Sequence, residues 1–126
     1  MKLTIVRLTA LSPQDTIDLA KIWPEYAPAD LTLDESHRLY AARFNERLLG
    51  ALRVTCNGTH GELDSLRVRE LTRRRGVGKY LLEEAMRDNP QIGDWRMSDK
   101  GVEDNAVMTA FMQAMGFQAE SGGWRR

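Results

Sequence analysis

Apolar and polar residues alternate from Lys2 to Leu8 in a stretch rich in β-branched side chains, which predicts a first strand. Ser12-Pro13-Gln14-Asp15 then predicts a helix start, with Ser12 capping, Pro13 in the first helical position and Asp15 reaching back. Ile17, Leu19, Ala20, Ile22 and Trp23 supply its apolar surface, and Pro24 stops it. Glu25 to Ser36 has little periodicity and reads as loop. From His37 the period changes to two. Strands are predicted over Arg38 to Phe44, Arg47 to Cys56 and His60 to Val68, with turns at Asn45-Glu46 and Asn57-Gly58. Connections that short make the three strands adjacent and antiparallel.

After Gly76 the period becomes helical. Val77, Leu81, Leu82, Ala85 and Met86 form one apolar face, and Asn89-Pro90 ends the helix. Trp95 to Ser98 is a short strand. Asp104 or Asn105 then caps a second such helix, with Val107, Met108, Ala110, Phe111, Ala114 and Met115 on one face and Gly116 as its C-cap. A helix lies between the strand ending at Val68 and the one starting at Trp95, so these two are predicted to be parallel, in a right-handed β-α-β unit. Ligands of such units sit beyond the carboxyl ends of the strands. The result is an α/β fold with a mixed, mostly antiparallel sheet.

Composition narrows the function. The chain has 126 residues, 42% of them hydrophobic, enough for one core, and we read residues 1–126 as a single domain. Eighteen basic and eighteen acidic side chains cancel, which argues against a dedicated nucleic-acid binder. Cys56 is the one cysteine, so an internal disulfide or a cysteine-based zinc site is excluded. The apolar run at the N-terminus is too short for a signal peptide or membrane span. A cytoplasmic protein with no membrane partner is expected.

Against that neutral background the basic cluster at Arg73, Arg74 and Arg75 needs a local explanation. It follows the strand end at Leu66 to Val68 and precedes Gly76 and Gly78, which open the helix. Unpaired N–H groups at a helix N-terminus, the positive end of its dipole, close backbone approach at glycine and forked guanidinium donors together describe an anion site. The alternative is a solvated basic turn with an ordinary glycine helix start.

Arg73-x-x-Gly76-x-Gly78, with Val68 five residues before Arg73, resembles the acyl-CoA pyrophosphate loop of the GCN5-related N-acetyltransferases (GNATs). A second block of that family, Phe-x-x-x-Met-Gly-Phe closing a helix, is matched by Phe111 to Phe117. More narrowly, Lys21 to Tyr26, Ala42 to Leu49 and Met108 to Met115 resemble the family of small PanD maturation factors. The resemblance implies a GNAT-like fold and acetyl-CoA or CoA as ligand. It implies that the amides of Arg75 to Lys79, with Val77 among them, hold a pyrophosphate, and that Arg73, Arg74 or Lys79 meets a ribose phosphate. It places Thr72 in the same loop and gives Leu66, Arg67 and Val68 to the pantetheine arm. Family members build a longer hairpin after the residue corresponding to Gly116, so an abbreviated C-terminal end is expected.

Acetyl transfer to an amine needs a group that protonates the departing thiolate and another that takes a proton from the amine. Active relatives place a tyrosine four residues before the glycine of Gly-Phe, where this chain has Met112. A thioether donates no proton. Met112 reads instead as packing at the margin of its helix's apolar face. Asp64 or Glu62 is the candidate base, against the commoner reading of an exposed strand carboxylate. No catalytic residue is therefore assigned. His37 and His60 lack ligand spacing, so no metal is expected. Trp23, Trp95 and Trp124 read as core or edge packing, with a partner-facing role as the second reading for Trp124, and Cys56 reads as an inert strand thiol.

The tip Arg43-Phe44-Asn45-Glu46-Arg47 reads either as ordinary turn chemistry or as a protein contact through Arg43 and Asn45, since arginine and aromatic side chains suit recognition. The PanD maturation factor resemblance implies the partner: aspartate 1-decarboxylase, whose proenzyme cleaves itself to the pyruvoyl form. An active N-acetyltransferase on a small amine or protein N-terminus is the alternative. A nucleic-acid-binding module is a third.

Overall fold

The computed structural model describes residues 3–24, 33–68, 76–99 and 105–126. One sheet runs through it. Its strands are β1 (Thr4–Leu8), β2 (His37–Phe44), β3 (Arg47–Asn57), β4 (His60–Val68), β5 (Asp94–Ser98), β6 (Gln118–Glu120) and β7 (Gly123–Arg125), in spatial order β1-β2-β3-β4-β5-β7-β6. Helices α1 (Pro13–Ile22), α2 (Val77–Arg87) and α3 (Asn105–Ala114) connect or flank them. Among the described residues only β4 and β5 pair in parallel. This is the expected mixed α/β architecture, with the β-α-β unit in the middle of the sheet.

Local chemistry explains the first half. Ser12 and Asp15 form the anticipated capping box, each side chain bonding the other's backbone N–H, and Pro13 opens α1. The Asn45-Glu46 turn has φ of 53° and 62° at its two central residues, the left-handed geometry that matches hairpin twist. The next turn falls one residue later than expected. Asn57 pairs with His60, leaving Gly58 and Thr59 as the loop, with Gly58 at φ 63°. A turn starting on glycine accepts that φ without strain, which pulls Asn57 into the strand.

The main core lies between the sheet, α2 and α3. It includes Leu52, Val54, Leu63, Leu81, Leu82, Trp95, Met97, Phe117 and Trp124, and a second cluster packs Leu19, Ile22 and Trp23 of α1 and its end against Leu39, Leu48 and Ala51. All three tryptophans are buried. In α1, Ile17 and Ala20 face outward, contrary to expectation. In α3 the expected face holds only in part, for Met108, Phe111 and Met115 pack against the main core. Val107, Ala110 and Ala114 are exposed, Met108, Phe111 and Met115 are half-buried, and Met112 is fully buried in the main core. A helix with no charged side chain has no polar face to mark the solvent side. The chain after Gly116, which takes φ 88°, folds into a compact β6–β7 hairpin of three-residue strands. Arg96 bonds Glu120 at 2.9 Å and Arg125 bonds Asp94 at 3.1 Å, tying that hairpin to β5.

Candidate acyl-CoA cleft and docking hairpin

The β4–β5 ladder runs from His60↔Asp94 to Leu63↔Met97, and β4 then continues to Val68 past its last rung with β5. A bulge marks the departure. Ala51 pairs with Arg67 and Arg53 with Asp64, so Leu52 opposes both Ser65 and Leu66, and Ser65 takes φ 58°. An extra residue in one strand bends it and raises its twist, and here the bulge falls directly after the last rung that β4 shares with β5. Trp23 Nε1 donates to the Ser65 carbonyl at 2.8 Å, pinning the bulge from the end of α1. Nothing local in the sequence marks Ser65 as a bulge or Trp23 as its anchor.

Leu66, Arg67 and Val68 therefore stand beyond the part of β4 that pairs with β5, and the start of α2 lies beside them. Gly76 is the N-cap at φ 71° and makes no side-chain cap bond, and the first turn of α2 carries no acidic residue. Its leading N–H groups are thus not capped by a side chain of the described residues, which is the condition for anion binding at a helix start. A Cβ placed on Gly78 would sit 3.6 Å from Val68 Cγ2 and 3.9 Å from the Phe111 ring. Hence Val68, Gly78 and Phe111, drawn from the two motif blocks, meet at one place. Val77 is buried against Val68 and Ala42, while Lys79 is mostly exposed. Thr72, Arg73, Arg74 and Arg75 lie outside the described residues.

The far end of α2 is held firmly. Tyr40 donates to Asp88 Oδ2 at 2.5 Å, and buried Asn89 bonds the Tyr40 hydroxyl at 3.0 Å, the Ala85 carbonyl at 2.7 Å and Arg38. Burial, and then the bond to Asp88, pushes the Tyr40 hydroxyl above its usual range. This network fixes the helix whose start faces the cleft.

Position 112 has no proton donor, and its side chain is wholly buried rather than at the margin of α3. Tyrosine there would crowd a filled core and bring a hydroxyl that needs a partner. We expect Met112→Tyr to cost about 1–3 kcal/mol, seen as a lower unfolding midpoint, and to bring no thiol release from acetyl-CoA. Of the candidate bases, Glu62 accepts a bond from Arg96 at 3.4 Å, whereas Asp64 lies 3.7 Å from Arg53 and its buried Oδ1 accepts no hydrogen bond. His37 bonds Asp34, and His60 bonds Asp94 at 2.9 Å. The His60 bond, with the charge of Arg125, holds Asp94 below the usual carboxylate range. Among the described residues no cluster of His, Cys, Asp or Glu has metal-binding geometry, and no helix is long and apolar enough to cross a membrane.

The β2–β3 tip lies beside α1. Arg43 bonds Asp15 at 3.1 Å, and Arg47 bonds Asp18 at 2.8 Å and 3.0 Å. Asn45 and Glu46 are exposed between them. Burial pushes the Asp18 carboxyl up, but bonds from Arg47, the Leu48 N–H and Gln14 outweigh it, and the group ends below its usual range. Sequence patterning missed both aspartates as partners of the tip, because they stand about thirty residues away in the chain.

The chain matches the family described as acetyltransferase (GNAT) domain, PanZ, over residues 2–125. It is 68% identical over 126 residues to the PanD regulatory factor of Escherichia coli K12, covering all of this chain and 99% of that protein. Among solved structures, YhhK from E. coli, determined in solution by NMR bound to coenzyme A, is 67% identical. It superposes with a TM-score of 0.91 over 100% of this chain and 98% of that one. A GNAT family acetyltransferase from Elizabethkingia anophelis, 21% identical, shares the fold with a TM-score of 0.74, over 94% of this chain and 77% of that one.

Proposed function

Because this chain belongs to the PanZ family of acetyltransferase (GNAT) domains, we propose that it is an acetyl-CoA-binding regulator of aspartate 1-decarboxylase rather than an acetyl-transferring enzyme. In this reading one domain, residues 1–126, binds the decarboxylase proenzyme, promotes its self-cleavage to the pyruvoyl form and also stays with the mature enzyme, in the cytoplasm. The carrying observation is the conjunction of an uncapped α2 start beside the end of β4 that runs past its pairing with β5, with a wholly buried thioether at position 112. The first can take an anionic cofactor, and the second supplies no acid for transfer.

The coenzyme A that YhhK binds is the ligand class assigned to the cleft. Its pyrophosphate lies against the N–H groups of Val77, Gly78 and Lys79 at the Gly76 turn. The pantetheine amides meet the backbone of Leu66, Arg67 and Val68. Thr72, Arg73, Arg74 and Arg75 complete the loop, with an arginine or Lys79 on the ribose phosphate. Arg43 and Asn45 at the β2–β3 tip contact the decarboxylase.

Bound acetyl-CoA then works as a reporter. If it tightens the complex with the decarboxylase, the decarboxylase tightens acetyl-CoA binding by the same factor, because coupling free energies are reciprocal. The decarboxylase makes β-alanine for pantothenate and hence for CoA, so this coupling lets an end product act on its own supply. Titration calorimetry of acetyl-CoA onto the protein alone and onto its decarboxylase complex tests the reading. The expected result is tighter binding in the complex, with no thiol release in the presence of amines. Equal affinities, or steady turnover, would overturn it.

A further inference from the structure

Among the described residues three polar or charged side chains are buried, and two of them, Asp15 and Asp18, sit on the same short helix facing the same hairpin. A pair between a buried carboxylate and a half-exposed guanidinium contributes little to net stability, because desolvation of the carboxylate offsets the attraction, so its consequence is sought in geometry. Each carboxylate does two jobs. Asp15 accepts from Arg43 Nη2 at 3.1 Å with one oxygen and from the Ser12 N–H at 3.2 Å with the other, joining one strand of the hairpin to the helix cap. Asp18 takes Arg47 at 2.8 Å and also the Leu48 N–H at 2.9 Å, so it grips both side chain and main chain of the other strand. Gln14 steadies Asp18 from one turn earlier, at 3.0 Å.

Between the two grips lies a turn that is strained by its own sequence. Asn45 and Glu46 both have positive φ, 53° and 62°. Asparagine tolerates that region, but glutamate does not, and glycine is the usual second residue of such a turn. Strained backbone of this kind persists where its surroundings over-determine it. Arg43 and Arg47 remain over one-third exposed beside it, so the tip offers an amide flanked by two guanidinium groups, suited to a partner surface rich in carboxylate or carbonyl oxygens.

We infer that α1 is a lock on this tip: Asp15 and Asp18 are positioning residues that hold Arg43 and Arg47, and through them the Asn45-Glu46 turn, in docking shape before the partner arrives. The inference rests on the proposed docking of this tip to aspartate 1-decarboxylase. Its energetic content is pre-organisation, since a turn already in its bound shape loses less conformational freedom on association.

The test is a double-mutant cycle read as decarboxylase affinity, with acetyl-CoA present, on the full chain. Asp18→Asn keeps the shape of the side chain but weakens its grip on Arg47. It is expected to weaken partner binding roughly tenfold, the scale of one left-handed non-glycine residue, and to leave acetyl-CoA affinity of the free protein unchanged. In a Glu46→Gly background the turn holds itself, and the same change is expected to cost less than about threefold. Equal losses in both backgrounds, or no loss in either, would overturn the lock. Asp15→Asn runs the same cycle through the Arg43 grip and replaces Asp18→Asn should that variant not fold. Asn45→Ala separates this idea from the reading it rests on: undiminished partner binding there removes the docking site itself, whatever the aspartates do.

Discussion

Gly78→Asp is expected to abolish acetyl-CoA binding while leaving the protein as stable as before, or more so. The two effects have opposite signs for one reason. Gly78 is the second residue of α2, where the helix dipole is positive and a carboxylate bonds well to leading N–H groups, so aspartate suits the helix. A residue with a Cβ also has less backbone freedom to lose on folding than glycine, which adds to stability in the same direction. Space is not limiting, because the new Cβ meets its nearest neighbour, Val68 Cγ2, at an ordinary 3.6 Å. The carboxylate, however, takes the position proposed for a pyrophosphate and repels it. At an effective dielectric near 20, a charge within about 5 Å of a diphosphate opposes binding by several kcal/mol, or more than about a hundredfold in affinity. Calorimetry with acetyl-CoA and a thermal melt without it read the two halves separately. Acetyl-CoA binding at parental affinity would show that the ligand lies elsewhere.

The largest expected loss of stability comes from an equally small change, Gly123→Ala. Gly123 is buried in β7, and a Cβ built there runs into the Met97 carbonyl of the neighbouring strand β5. A backbone oxygen in a paired strand cannot move aside as a side-chain tip can, so β7 has to leave. With it goes Trp124, which is 2% exposed in the main core and donates to Thr109 Oγ1 at 3.2 Å. We expect about 3 kcal/mol or more of destabilisation, a fall of about 10–15 °C in the unfolding midpoint and red-shifted tryptophan fluorescence. Gly93→Ala is the matched control, since an added Cβ there meets nothing within 4 Å and the midpoint is expected to hold. A Gly123→Ala protein that melts with the parent would mean that β7 is not clamped against β5 in this way.

Both substitutions act at glycines, yet only one of these was visible beforehand. Gly78 stands in a spaced motif, and its part in a helix start is chemistry between near neighbours. Gly123 looks like one of two adjacent turn glycines, and its constraint comes from a strand more than twenty residues away. The same division runs through the site. The uncapped start at Gly76 and the strand end at Leu66 to Val68 were readable from pattern, whereas the bulge at Ser65, just past the last β4–β5 rung, was not. Met112 shows the limit most clearly. The absence of a tyrosine was plain from the residue alone, but its full burial was not, because α3 is uncharged all round and periodicity could not choose a face.

By itself the sequence determined the order of the elements, the capping box of α1 and the glycine-led helix start. These depend on backbone preferences and hydrogen bonds within a few residues, which neighbouring side chains dictate wherever the chain goes. Tertiary structure alone decided which residues of α3 are fully buried, where β4 bulges, and that two aspartates of α1 grip the hairpin. The Asp15–Arg43 and Trp23–Ser65 bonds span 28 and 42 residues, and a carboxylate or indole carries no local mark of the partner that packing will bring to it.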